Sequence, residues 1–238
     1  MNTTPPTECR AWAQLAAHAE GWMSVHLREL FANDVARAVQ LGAEAPGVRL
    51  DISRQRVGAI TLRLLSQLAE QRGLAEWRNA LFAGRKINST EDRAAWHTAL
   101  RSGSNAEVQE TLSRVKALAA RLRTEKKFKR VVNLGTGGSD LGPRLVCDAL
   151  AQGGEAGVLD VRFAANVDPK DLERALEGAE PETTLFIVVS KTFTTQETMA
   201  NAERAKAWGG KHFIAVSSNV ERAKRFGAAE VLPMWDWV

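Results

Sequence analysis

Apolar positions recur at helical spacing through the first half of the chain. Trp12, Leu15, Ala16, Ala19, Trp22 and Met23 form one stripe, and Val57, Ile60, Leu64, Leu65 and Leu68 form another. Such i, i+3, i+4 recurrence is the signature of amphipathic helices, and the tryptophans in the first stripe are read as core. Gly42, Pro46-Gly47, Gly73 and Gly84 punctuate these stretches. Asn88-Ser89-Thr90-Glu91 reads as a helix start, with Asn88 or Ser89 as N-cap and an acid close behind. A further helix is predicted from about 106 to 124.

From about residue 129 the period changes. Short β-branched runs over 131–134, 158–163, 185–189 and 212–216 alternate with helical patterns near 143–151, 169–178, 194–208 and 219–226. The run Leu185-Phe186-Ile187-Val188-Val189 has no polar alternation, which predicts a central strand covered on both faces. Strand–helix alternation argues for a doubly wound parallel α/β sheet. The chain therefore divides into a mainly helical region, 1–125, and an α/β domain, 126–238.

Ligands of open parallel sheets bind beyond the carboxyl ends of the strands. Those ends lead here into Gly135-Thr136-Gly137-Gly138-Ser139-Asp140, Asn166-Val167-Asp168, Ser190-Lys191-Thr192-Phe193-Thr194-Thr195 and Ser217-Ser218-Asn219. The third is the most informative. Thr194-Thr195-Gln196-Glu197 fits a capping box, with Thr194 as N-cap and Glu197 at the third helical position. The loop would then lie over a helix N-terminus, where free N–H groups and the helix dipole favour an anion. Ser190, Thr192 and Thr195 add hydroxyls and Lys191 adds charge, so the segment reads either as a metal-free phosphate cradle or as a plain capped turn. The glycine loop fails the dinucleotide fingerprint, because Asp140 stands at its last position, and Ser190-Lys191-Thr192 lacks the glycines of a P-loop. Glycines at 135, 137 and 138 still allow close approach to the backbone. Asp140 and Asp168 are candidates either for polar ligands or for cap and turn roles.

Composition narrows the picture. With 238 residues, 45% hydrophobic and 25% charged, the chain has the mix of a globular protein and not of a disordered or fibrous one. A net charge of +4 suits a small anion better than nucleic acid. One basic run stands out: eight Lys/Arg between Leu112 and Arg130, against the single acid Glu125. Only one aromatic residue, Phe128, lies within it, so it reads as a solvated helix face and linker. Cys9 and Cys147 are too far apart for a CxxC site, and their number fits a reducing compartment. The four histidines show no ligand spacing, and His97, beside Trp96, is read as a core or interface residue. Tyrosine is absent, which removes it as an acid or base. No export signal or membrane-length apolar run is visible, so cytoplasm is expected.

Six segments together resemble the glucose-6-phosphate isomerase family: 84–101, 133–143 (NLGTGGSDLGP), 165–169, 186–208 (FIVVSKTFTTQETMANAERAKAW), 212–219 and 226–238 (FGAAEVLPMWDWV). The SKTFTTQET run is highly specific. The resemblance implies an SIS-type sugar-phosphate-binding α/β domain. It assigns Gly138 and Ser139 to the sugar and Ser190, Lys191, Thr192 and Thr195 to the phosphate, with Phe193 and Thr194 in the same loop. It further implies interconversion of glucose 6-phosphate and fructose 6-phosphate through an enediol, no metal or organic cofactor, and a homodimer. The family chain is about twice as long, however. Its catalytic glutamate, ring-opening histidine, late lysine and an arginine after the WDWV segment have no counterparts here, so no catalytic residue is carried over. Thr136 also departs from the family's usual apolar residue, and Trp96 precedes His97 where the family differs. The competing expectations are half of an isomerase, a stand-alone sugar-phosphate module without catalysis, and, least supported, a nucleic-acid binder through 112–130.

Overall fold

The computed structural model describes residues 3–151 and 159–238. Two compact units are present, Met1–Asp92 and Arg93–Val238. The helix expected to close the first region packs in the second unit instead: Leu118 shares a core with Phe128, Val131 and Leu185, and Arg114 donates to the Val231 carbonyl. The division therefore falls at 92/93 and not near 125.

The first unit holds helices α1 (Arg10–Glu20), α2 (Leu27–Asn33), α3 (Arg37–Gln40), α4 (Ala59–Gln71) and α5 (Leu74–Phe82), and strands β1 (Gly42–Ala45), β2 (Val48–Asp51) and β3 (Lys86–Asn88). Both helical stripes form helices, although Trp22 and Met23 lie beyond the end of α1 and Val57 before the start of α4. The β1–β2 hairpin, turning through Gly47 at φ 76°, was not expected in a region read as helical. Its short strands are exposed throughout, so burial leaves no alternation to read. Asn88-Ser89-Thr90-Glu91 is a turn and not a helix start: Asn88 Oδ1 does accept from the Glu91 N–H, but no helix continues from it. The same side-chain bond serves a turn as readily as a cap. Trp12 is exposed and Trp22 half-buried, contrary to the core reading.

The second unit opens with β4 (Arg93–Ala94), a 3-10 turn at His97–Leu100 in which His97 is exposed, and α6 (Ala106–Glu125). Asn105 caps α6 by accepting from the Val108 N–H. There follow β5 (Arg130–Leu134), α7 (Gly138–Ala151), β6 (Asp160–Ala164), α8 (Pro169–Leu176), β7 (Thr184–Val189), α9 (Gln196–Ala207), β8 (His212–Ser217), α10 (Val220–Phe226) and β9 (Glu230–Pro233). Val158, placed in the second strand by its pattern, lies outside the described residues.

The five strands β5 to β9 form one parallel sheet in the order β6-β5-β7-β8-β9. This is the doubly wound arrangement that the alternation predicted, with β7 central. The last strand, β9, was missed. Strand residues alternate between two cores, as a pleated sheet requires. Val132, Leu134, Phe186, Val188, Phe213 and Ala215 face α8, α9 and α10, while Val131, Leu185, Ile187, Ile214 and Val216 face α6. Phe186 stacks on Phe213 with ring centroids 5.0 Å apart.

The basic run is partly structural. Arg130 bonds Asp160 and the Ala175 and Glu177 carbonyls, and Arg121 pairs with Glu230 on β9. Among the described residues no helix is long and apolar enough to cross a membrane.

Candidate functional site

The sheet order creates a switch point. From β5 the chain moves outward to β6, then returns to the other side of β5 to make β7. The loops after β5 and β7 therefore flank the switch point, the position at which open α/β sheets generally bind their ligands. These are the glycine loop and the Ser190–Thr195 loop. Leu134 is in register with Val188, so both loops leave the sheet at the same level.

The glycine loop is held by close contact. Asn133, buried at the end of β5, donates from Nδ2 to the Ser139 carbonyl at 3.1 Å. A side chain on Gly135 would meet that same carbonyl at 2.7 Å, so only glycine fits. Gly137 takes φ 58°, and its carbonyl accepts from the Asp140 and Leu141 N–H groups. Gly138 is exposed, and a Cβ built on it meets nothing within 4 Å. Ser139 is half-buried beside it. Asp140 is not a free ligand: it is buried and takes both its bonds from Arg144, 3.1 and 2.8 Å away. Asp168 likewise serves as N-cap of α8, accepting from the Lys170 N–H.

The second loop folds back on itself. Ser190 Oγ and Thr195 Oγ1 lie 3.0 Å apart, and Thr192 Oγ1 and Thr194 Oγ1 lie 2.5 Å apart. Phe193 stands between them at φ 56° with its ring wholly buried against Phe226. It cannot present its side chain to a ligand, and its N–H already donates to the Ser190 carbonyl. Its role is to pin the loop to the core. The expected capping box is not formed. Thr195, not Thr194, is the N-cap of α9, and it makes no side-chain bond to the helix backbone. Its hydroxyl is turned to Ser190 instead. Glu197 does not reach back either: it lines a hollow of 330 Å³ with Thr136, Ala165, Asn166, Val167 and Asp171.

Support for this loop comes from the end of β8. Ser217 Oγ and Ser218 Oγ both donate to the Lys191 carbonyl, at 3.0 and 2.6 Å, and Asn219 Nδ2 donates to the Thr192 carbonyl. The polar cluster after the fourth strand signalled that these residues matter, but not that they brace the loop. Lys191 Nζ reaches the Val238 carbonyl at 2.6 Å and the Asp236 carbonyl at 3.4 Å. Thr192 and Thr194 open onto a groove of 580 Å³ whose other walls include Ser218, Asn219, Glu221 and Asp236. Gly138, Ser139, Ser190, Lys191 and Thr195 line neither hollow. The structure thus seats the two sequence-predicted segments on either side of the switch point, with Ser190 and Thr195 in contact. Among the described residues no group of three or more His, Cys, Asp or Glu side chains is placed to hold a metal ion.

A model of the phosphoglucose isomerase family matches residues 51–238. The chain belongs to that family. The glucose-6-phosphate isomerase of Deinococcus deserti is 46% identical, and glucose-6-phosphate isomerase 1 of Rhodococcus jostii 44% identical, each aligned over 98% of this chain and 48% of its own length. The crystal structure of a glucose-6-phosphate isomerase from Chlamydia trachomatis superposes with a TM-score of 0.81 at 26% identity, over 98% of this chain and 49% of that one. The chain spans about half the length of the phosphoglucose isomerase relatives it matches.

Proposed function

We propose that this chain is the phosphosugar-gripping half of a glucose-6-phosphate isomerase. In this reading Ser190, Lys191, Thr192 and Thr195 take the phosphate. Thr194 and the Phe193 backbone shape the same loop, and Gly138 and Ser139 meet the sugar. One observation carries the reading: the SKTFTT segment sits beside the switch point, over the N-terminus of α9, with its cap hydroxyl uncommitted to the helix backbone. A helix start without a side-chain cap leaves its first N–H groups able to receive an anion.

The reaction we assign to the whole enzyme is the interconversion of glucose 6-phosphate and fructose 6-phosphate through an enediol, with no metal or cofactor taking part. A carboxylate must move the proton between neighbouring carbons. No residue of this chain is assigned that role. Its task is to hold the phosphate while groups from the family's other half act on the sugar, in the cytoplasm and in a dimeric enzyme. Titration of the purified chain with glucose 6-phosphate, fructose 6-phosphate and unphosphorylated glucose tests the reading. Binding of the two phosphates and not of glucose supports it, and equal or absent binding of all three counts against it.

A further inference from the structure

Pro143 stands inside α7, past the first turn of a helix that begins at Gly138. In an α-helix the N–H of each residue donates to the carbonyl four positions back. Proline has no N–H, so the Ser139 carbonyl lacks that donor. The donor comes from the sheet instead. Asn133, buried at 6% exposure near the end of β5, gives Nδ2 to the Ser139 carbonyl at 3.1 Å. Gly135 makes the room: a Cβ there would stand 2.7 Å from the same carbonyl and 2.9 Å from Ser139 Cβ. Asn133 is also a polar break in the otherwise apolar run Val131-Val132-Asn133-Leu134, paired with Phe163 on one side and Ile187 on the other. A buried amide at such a position is costly unless its bonds are made. Ser139 is thereby tied to the strand and not to the helix it belongs to.

Resting on the assignment of Gly138 and Ser139 to the sugar, we infer that Asn133 is a positioning residue for the sugar contact, acting through the Ser139 carbonyl that Pro143 leaves without a helical donor. β5 and β7 are neighbours in the sheet, with Asn133 in register with Ile187 and Leu134 with Val188. Ser190 follows directly on the end of β7. A Ser139 carbonyl tied to Asn133 therefore keeps its spacing from the Ser190–Thr195 loop through the hydrogen bonds of the sheet. A Ser139 carbonyl bonded to residue 143 would follow the helix instead. A ligand held at two points, its phosphate on one loop and its sugar on the other, needs that spacing set beforehand, because each loop ordered on binding costs affinity. The sequence change that matters is thus a pair: proline removes the helical donor, and asparagine replaces it from the strand.

The experiment compares the full 238-residue chain with Asn133→Ala, Pro143→Ala and the double variant, by thermal melting and by calorimetric titration with glucose 6-phosphate and with inorganic phosphate. Asn133→Ala should lower the melting temperature by about 3 °C or more, the effect of leaving a buried carbonyl without its partner in a chain of this length. In the Pro143→Ala background the same change should cost less than about half as much, because residue 143 then has an N–H for the Ser139 carbonyl. Asn133→Ala should weaken glucose 6-phosphate binding about tenfold or more and inorganic phosphate binding less than about twofold, since a misplaced loop loses only the contacts it makes itself. The double variant should regain melting temperature but not sugar-phosphate affinity, because its carbonyl is tied to the helix and not to the strand. Should Asn133→Ala alone fail to fold, the double variant measured against Pro143→Ala carries the same affinity test. Equal melting losses in the two backgrounds, affinity that returns together with stability, or an equal fall in affinity for both ligands would each overturn the inference. A wild-type chain that binds glucose 6-phosphate no more tightly than inorganic phosphate would instead remove the sugar assignment, and the melting cycle then decides the Asn133–Ser139 tie by itself.

Discussion

Ser190 Oγ and Thr195 Oγ1 stand 3.0 Å apart across the turn that joins β7 to α9. The contact takes the Thr195 hydroxyl away from the helix backbone and leaves the first turn of α9 without a side-chain cap. Two hydroxyls, a lysine and an uncapped helix start then converge on one loop. The loop is stiffened from below by the buried Phe193 ring and from the side by Ser217 and Ser218.

Lys191→Ala and Ser190→Ala should each weaken glucose 6-phosphate binding about tenfold or more, since a charge-assisted hydrogen bond contributes about 1.5–3 kcal/mol. Isothermal titration calorimetry measures this directly. Unchanged affinity in both variants would remove the loop from the site.

The two glycines at the start of the other loop should behave differently. In Gly135→Ala the new methyl meets the Ser139 carbonyl at 2.7 Å, so the backbone must shift, at a cost of about 1–3 kcal/mol. In Gly138→Ala the methyl enters open space, and the fold should keep its stability while a bound sugar loses room. Thermal melts together with ligand titrations separate the cases; equal loss of stability in both would contradict this geometry.

Phe193 belongs to the loop but acts through the core. Phe193→Ala should destabilise the chain by about 3–5 kcal/mol, the usual cost of emptying a buried aromatic site. Urea denaturation reads this, and a loss under about 1 kcal/mol would mean that the ring does not anchor the loop.

Arg130 and Asp160 tie β5 to β6 at 2.7 Å. Burial opposes ionisation of Asp160, but the hydrogen bonds from Arg162 and Arg130 outweigh it and hold the carboxyl below the usual carboxylate range. A group lowered in this way stabilises the fold above its unfolded value of about 3.9 and loses that contribution as pH falls through the folded value. Stability should therefore decline below about pH 4. Arg130→Ala should cost about 2 kcal/mol at neutral pH and flatten the acid limb. A melt series from pH 3 to 7 decides it, and an unchanged acid limb would be the contrary result.

The 238-residue chain by itself should not isomerise glucose 6-phosphate, because none of its residues is matched to the family's proton-transferring carboxylate. A coupled assay showing turnover well above background in carefully purified protein would refute this.

Much of the second unit was legible along the chain because its signals are local. Uninterrupted apolar runs made β7 and β8 strands, and six short segments, the SKTFTTQET run the most specific among them, carried the family resemblance. What was misread depended on partners distant in sequence. β9 is four residues, Glu-Val-Leu-Pro, of which Leu232 alone is buried, and its strand character comes from pairing with Ile214–Ser217 and not from any pattern of its own. Thr194-Thr195-Gln196-Glu197 satisfies a capping box by spacing, yet Thr195 bonds Ser190, five residues back, and Glu197 turns to a hollow beside β6. The period of α7 revealed a helix but not which side would meet the sheet, because periodicity fixes the existence of a stripe and not its direction. The sequence by itself determined that a parallel α/β unit bears a hydroxyl-rich loop after its third strand. Only the tertiary structure decided that this loop and the glycine loop flank one switch point. That result follows from the order β6-β5-β7, which strand pairing sets across the whole fold and no local run of residues encodes.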